Sequence, residues 1–314
     1  MSGSKIGVFP ASGGLGGSTL KHLVDNVDPS QVVAIVRTPK NLPSQYTNAG
    51  VTVRGADYDQ ASSLDHTFDG ISTLNLISYA SIEHEHRFKV HKIAIDAARK
   101  SGVQRILYSS LAFAGDGNQT SAAHVMQAHL DTEKYLASLA AQDSSFKYTV
   151  VRIGLYSESF PLYTAFFDPK KPSDEVKIPH DGKAPGIAWA KQDELGNAVS
   201  LLLKSLINSP TNFEYLNRTI LLSGPRAWSL QETVEALGRV SRKTVKLREV
   251  SVEEYASQPE VQNGLTYGAG DLAAVWATAF EAIRRGEAAV TTPILAKILG
   301  REPESFEDTI AGLV

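Results

Sequence analysis

The chain has 314 residues, 42% hydrophobic and 21% charged, which is enough to bury one large α/β core or a nucleotide-binding domain with a smaller cap. Lys and Arg total 31 and Asp and Glu 34, a formal charge of −3 with no block of one sign, which argues against a nucleic-acid surface. The absence of cysteine excludes disulfides, thiol nucleophiles and thiolate metal sites, and it fits a reducing compartment.

The opening residues are polar and run straight into an apolar stretch, without a charged-then-apolar leader. No apolar run approaches the roughly 18 residues a membrane span needs, so a cytoplasmic protein is expected. Residues 5–9 read as a buried strand, followed by a glycine-rich turn and a helix over 14–25. Apolar, β-branched runs at 31–36, 51–54 and 72–78 read as the next three strands. A helix over 83–100 stops at Ser101-Gly102 and leads to a fifth strand at 104–109. A helix over 122–141 and a sixth strand at 147–151 follow. This alternation predicts a Rossmann-type, doubly wound parallel sheet. After Tyr156 the pattern loosens, and Pro161, Pro169, Pro172, Pro179 and Pro185 break the chain into loops. Helices return over 193–206, 230–240 and 272–284. The expected organisation is a dinucleotide-binding domain over 1–156 and a smaller mixed cap over 157–314, with some elements returning to the main sheet.

The turn after the first strand runs Pro10-Ala11-Ser12-Gly13-Gly14-Leu15-Gly16. Glycines there let the backbone approach a pyrophosphate, and the next helix aims its free N–H groups at the anion. The bland alternative is a tight strand-to-helix turn. Pro10 stands where the usual Gly-x-x-Gly-x-x-Gly pattern has its first glycine, which requires a negative φ at that point. Arg37 lies 21 residues beyond Gly16, at the end of the second strand, with Lys40 three residues on. An acid at that position favours NAD, whereas an arginine suits the 2′-phosphate of NADP. NADP(H) is therefore the expected cofactor, against the alternative of a solvated arginine opening a loop.

Several further stretches carry a family resemblance. They are Val36-Arg37-Thr38-Pro39-Lys40, Gly55-Ala56-Asp57-Tyr58-Asp59, Thr132-Glu133-Lys134 and Val151-Arg152-Ile153-Gly154-Leu155-Tyr156. With the 91–98 and 102–110 segments, they make the chain resemble the NmrA-like branch of the atypical short-chain dehydrogenase/reductases, and within it the type 2 quinone-oxidoreductase-like members. The likeness runs over nearly the whole chain. It implies that Ala11, Ser12, Gly13, Gly14, Leu15 and Gly16 hold the pyrophosphate and that Arg37 and Lys40 hold the 2′-phosphate. Asp57 and Tyr58 would line the adenine, Ser78 and Tyr79 would end the fourth strand beside the cofactor, and Ile153, Gly154, Leu155 and Tyr156 would face the nicotinamide. The family mixes reductases with cofactor-sensing regulators, so the fold alone does not decide the activity.

Ordinary short-chain reductases pair a catalytic Tyr with a Lys four residues later. None of the 11 tyrosines here has that partner; Leu130 stands four before Lys134. Lys134 is then expected to bind the ribose or act as acid by itself, with Tyr108, Ser110 or Tyr156 supplying hydroxyls. For Lys134 the alternative is a solvated helix lysine, and for Tyr108 it is buried packing. Phe113, Phe160, Phe166, Phe167 and Trp189 fall in loops over the sheet edge, where they form either a substrate pocket or the core of the cap. His84, His86 and His91 crowd one helix start but do not share a face, and no metal site is expected. His124 and His129, five apart, share a face poorly as well. Ser109-Ser110 lacks the glycines of a hydrolase elbow. Asp193 is expected as a helix N-cap. The function so implied is an NADPH-dependent reductase of a quinone, enone, imine or carbonyl on a small, aromatic molecule. The alternative is a non-catalytic NADP(H) sensor that binds a protein partner; a homo-oligomer is compatible with either.

Overall fold

A computed structural model describes residues 5–266 and 272–313. Residues 1–4, Tyr267 and Val314, which enter the sequence arguments above, lie outside the described residues. In chain order the elements are β1 (Lys5–Phe9), α1 (Gly14–Asn26), β2 (Val32–Val36), α2 (Ser44–Asn48), β3 (Thr52–Gly55), β4 (Ile71–Ile77), α3 (His84–Lys100), β5 (Arg105–Leu111), α4 (His124–Gln142) and β6 (Lys147–Ile153). They continue with β7 (Glu175–Ile178), α5 (Gln192–Asn208), β8 (Arg218–Leu222), α6 (Leu230–Val240), β9 (Lys246–Glu249), α7 (Val252–Ala256), α8 (Pro259–Gly264), α9 (Leu272–Arg284), α10 (Ile294–Leu299) and α11 (Phe306–Ala311).

Seven strands form one sheet in the order β3-β2-β1-β4-β5-β6-β8, and every adjacent pair is parallel. Helices cover both faces, so the inner strands are apolar without alternation; all five residues of β2 are buried. On one face α1, α5 and α10 pack over Val8, Leu20, Leu107, Val151, Leu195 and Leu202. On the other, α3 and α4 pack over Ile35, Leu74, Ile95, Ile106, Leu136 and Val150. Gly196 lets α5 approach α1, since a Cβ there would stand 2.5 Å from the Ser18 Cβ. A third core, centred on Trp189, Tyr163, Phe280 and Phe306, belongs to the cap. The strand order reverses at the β1–β4 boundary, so the crevice beyond their carboxyl ends is the expected ligand site.

The expected alternation is observed, and three strands add to it. β7, β8 and β9 give little sequence signal because they are short; β9 reads Lys-Leu-Arg-Glu and is largely exposed. β5 and β6 each run two residues beyond their expected ends, to Leu111 and Ile153. Asp193 is not the N-cap of α5. Lys191 holds that position, and the Asp193 carboxylate instead accepts from Ser18 Oγ at 2.9 Å and Lys21 Nζ at 3.2 Å, tying α5 to α1. Among the described residues no helix is long and apolar enough to cross a membrane.

Candidate active site

The site begins where β1 hands over to α1. Gly13 carries φ 80° and α1 opens at Gly14 with neither a side-chain cap nor an acid in its first turn. Its leading N–H groups are therefore left for a ligand. The Ala11 amide donates to the Ile35 carbonyl at 2.8 Å, which fixes the turn against β2. A Cβ on Gly16 would stand 2.0 Å from the Pro10 carbonyl oxygen, so only glycine fits there. Pro10, on a cis peptide after Phe9, keeps a negative φ, and the tight turn survives the loss of the first glycine of the pattern. At the end of β2, Arg37 and Lys40 are both exposed, and among the described residues neither has an ion-pair partner. Free N–H groups, a turn that excludes Cβ, and two unpaired cations one strand away fit a dinucleotide with an added phosphate.

The neighbouring residues divide into rim and support. The Asp57 carboxylate accepts from the Asp59 amide at 3.1 Å, and its own amide donates to Ser63 Oγ at 2.8 Å. Tyr58 is a correction to the adenine-lining expectation. It is buried, stacks on Phe9 at 4.4 Å and donates its hydroxyl to the Ile77 carbonyl at 2.7 Å, so it braces β4 from within. Tyr79 stands edge-on to it and donates to the Asp59 carboxylate at 2.7 Å; that hydrogen bond, with partial burial, pushes its phenol up to about 12. His86 reaches the same carboxylate at 2.9 Å.

Beside the phosphate turn a cleft of about 280 Å³ opens at the carboxyl ends of β4, β5 and β6. Leu15, Ser78, Tyr79, Ile82, Ser110, Tyr156, Tyr163 and Trp276 are among the residues that line it. Tyr156 is half-buried, and no hydrogen bond to its hydroxyl is formed among the described residues. Burial, with the nearby Glu158 carboxylate, raises its phenol far above the usual range, so it stays protonated. Arg87 and His129 reach the floor. Arg87 Nη1 donates to the Val125 carbonyl, and Nη2 to Ser78 Oγ and His129 Nε2, each at 2.8 Å. Because His129 Nε2 accepts, its proton sits on Nδ1, which faces the Tyr108 hydroxyl at 2.9 Å. His91 Nε2 likewise accepts from the Tyr79 amide at 2.9 Å, leaving Nδ1–H for Thr132 Oγ1 at 3.0 Å. Burial, then the adjacent guanidinium, holds both histidines well below their usual range, so both are neutral.

Several sequence expectations are corrected here. Lys134 lies on the solvent face of α4, 59% exposed, beside Asp131 at 3.8 Å and outside the cleft lining. Leu130, four residues before it, is cap core. Tyr108 is fully buried beneath the cleft, because strand alternation turns it toward α3 and α4. Ser110 does line the cleft, but it spends its proton on Glu133 Oε1 at 2.6 Å. Phe113, Phe160 and Trp189 are buried cap core; the Trp189 indole donates to Thr233 Oγ1 at 3.1 Å and stacks on Phe306. Phe166 and Phe167 line a separate hollow with Asp168 and Gln258. The aromatic wall comes instead from Tyr79, Tyr156, Tyr163 and Trp276. The crowded histidines diverge, His84 to Asp131, His86 to Asp59, and His91 into the core.

Arg87 and His129 escape a motif search, yet periodicity marks them. Arg87 falls on the buried stripe of α3 with Val90, His91 and Ala94, and His129 and Glu133 fall on that of α4 with Met126, Leu130 and Leu136. A charge on an apolar stripe is the signal. Arg152, fully buried near the carboxyl end of β6, pairs with Glu133 at 2.7 Å and donates to the carbonyls of Ala114, Gly115 and Asn118. It thereby holds the loop after β5 that floors the cap.

Sheet order, phosphate turn and adjoining cleft define the dinucleotide-binding oxidoreductase class. The model of the NmrA-like family matches residues 2–267, and the chain belongs to that family. It is similar to an NmrA-like family domain-containing oxidoreductase, flvB, of Aspergillus flavus, at 29% identity over 97% of this chain and 93% of that protein. Quinone oxidoreductase 2 of Escherichia coli is 32% identical over 86% of this chain and 85% of its own. The crystal structure of the E. coli NADPH-dependent quinone oxidoreductase complexed with NADPH superposes with a TM-score of 0.78 at 28% identity, covering 98% of this chain and 99% of that one. The Citrobacter triphenylmethane reductase complexed with NADP(H) gives 0.77 at 28% identity, covering 99% and 100%.

Proposed function

We propose that this protein is an NADP(H)-dependent oxidoreductase that reduces a quinone, enone, imine or carbonyl on a small aromatic molecule. The observation that carries it is the continuity of the two halves of the site. Leu15, one residue into the uncapped helix, also lines the aromatic cleft. The turn from Ala11 to Gly16 takes the pyrophosphate, Arg37 and Lys40 take the 2′-phosphate, and Asp57 lies at the adenine end. Residues 153–156 close the wall against the nicotinamide. The cofactor supplies a hydride when bound. The acceptor gains that hydride and one proton, so acceptor, NADPH and H⁺ give NADP⁺ and the two-electron-reduced product.

Tyr156 donates that proton, because it adjoins residues 153–155 at the nicotinamide wall and its hydroxyl remains protonated with no protein partner among the described residues. Water restores it through the open cleft. Tyr79, Tyr163 and Trp276 hold a flat acceptor by apolar contact and edge-to-face packing. A second reading, a non-catalytic NADP(H) sensor with a protein partner, draws on the exposed position of Lys134 and the apolar Leu130. The experiment that separates them is NADPH oxidation against a panel of quinones, enones and aromatic carbonyls. Turnover above background supports the reductase. Tight NADPH binding with no turnover on any acceptor overturns it in favour of the sensor. Replacing Tyr156 by Phe lowers kcat about a hundredfold at unchanged NADPH affinity, the scale of a lost general acid; an unchanged kcat removes Tyr156 from the chemistry.

A further inference from the structure

Arg87 is a cation with no counter-ion. It is 3% exposed, and its three hydrogen bonds go to a carbonyl, a hydroxyl and a neutral imidazole. Among the described residues no Asp or Glu lies within ion-pair distance of it, whereas Arg152, equally buried one helix away, has Glu133. Its Nε–H is buried and unpartnered. A buried charge is ordinarily paired, because desolvation costs far more than neutral hydrogen bonds return. The cation is also held in place. Ser78 and His129 fix the guanidinium from β4 and α4, and Tyr108 fixes His129 from below. The side chain forms part of the cleft lining, on the same floor as Ser110 and His129.

We propose that Arg87 is a specificity-determining residue that receives an anionic oxygen group, a carboxylate or an ionised ring hydroxyl, on the aromatic substrate. The missing counter-ion is then the substrate itself, and acidic acceptors are selected over neutral ones of equal shape. The inference rests on the cleft being a substrate site, as proposed above. It does not rest on the hydride step. Charge-assisted hydrogen bonds are about twice as strong as neutral ones, and among the described residues Nε–H and the second Nη1–H are the donors not used by the protein.

The test has a binding arm and a turnover arm. Protein loaded with NADP⁺ is titrated with 2-naphthoate and with 2-naphthamide, a pair matched in shape and different in charge. The wild type binds the carboxylate at least tenfold tighter. Arg87→Gln abolishes the preference, Arg87→Lys keeps part of it, and both bind NADPH as the wild type does. Equal binding of the pair by the wild type, or a preference that survives Arg87→Gln, overturns the inference. So does a loss of NADPH affinity in Arg87→Gln, which would assign the cation to the cofactor. Where Arg87→Gln does not fold, the wild-type ratio and its reduction in Arg87→Lys decide the matter. In the turnover arm, a naphthoquinone bearing a propionate side chain is compared with its methyl amide at one redox centre. A naphthoate preference without any turnover leaves Arg87 in place and removes the reductase. Turnover that ignores the side-chain charge in wild type and variants keeps the reductase and removes Arg87.

Discussion

In the proposed function Arg37 is the residue on which cofactor choice turns. It is exposed, free of ion pairs among the described residues and placed at the end of β2. Replacing it by Asp puts a negative charge against the 2′-phosphate. NADPH affinity then falls roughly 10- to 100-fold while NADH affinity changes little, the range of a lost charge-assisted contact. Fluorescence titration of both cofactors checks this, and an unchanged NADPH-to-NADH ratio would remove Arg37 from the site. Lys134 makes the opposite prediction. A lysine that is 59% exposed contributes little to a cleft it does not line, so Lys134→Ala keeps kcat within about twofold. A tenfold fall in kcat with intact NADPH binding would return Lys134 to the mechanism. The position of Arg37, just past the end of β2, was legible because a fixed distance from the glycine turn sets its place along the chain. For Lys134 and Tyr108 the structure has the alternatives, a solvated helix lysine and buried packing, which spacing left open because it puts a residue on an element but does not say which way it faces. One turns to solvent and the other to the layer beneath the sheet.

At the scale of elements, α3 and α4 carry polar groups on stripes that should be apolar. Glu133 on α4 and Arg152 on β6 form a buried ion pair that also ties down the loop from Ala114 to Asn118. Removing one partner leaves a charge with nothing to answer it. Arg152→Met therefore destabilises the protein by roughly 3–5 kcal/mol. Urea denaturation measures it, and a loss under 1 kcal/mol would contradict the assignment. His91 on α3 and His129 on α4 make stability depend on pH. Burial lowers both folded-state pKa values below the ordinary 6.5, so between those limits only the unfolded chain takes up protons. Their contribution is complete above about pH 6.5 and is lost as pH falls below it, at about 1.4 kcal/mol per pH unit for each histidine. Unfolding at pH 5.5 then takes up more protons than at pH 7.5 through these side chains, in two contributions of up to about 0.8 each. Replacing His91 by Gln removes one of them; an unchanged pH slope in that variant would contradict this account. The cap aromatics show the limit of sequence at this scale. Phe113, Phe160 and Trp189 fall in the right loops, but packing of α6, α9 and α11 turns them into core. Trp276, from the helix expected over 272–284, reaches the cleft instead.

For the whole molecule, the parallel sheet and its switch point were readable from alternating apolar runs, because strands covered on both faces leave an unambiguous pattern. In the cap, the helices over 230–240 and 272–284 were readable, whereas its short, charged strands were not. What matters for function is that the two regions meet at one place. The phosphate turn comes from β1 and α1, and the aromatic wall combines the ends of β4 to β6 with residues from 156 to 163 and from α9. The central claim is that this junction passes hydride from NADPH to an aromatic acceptor. It is tested most directly by titrating the protein with NADPH and NADH and then following NADPH oxidation with the quinone, enone and carbonyl panel. The account predicts tighter binding of NADPH than of NADH, and turnover with at least one flat aromatic acceptor. Binding without turnover on any acceptor, or no preference for NADPH, would contradict it.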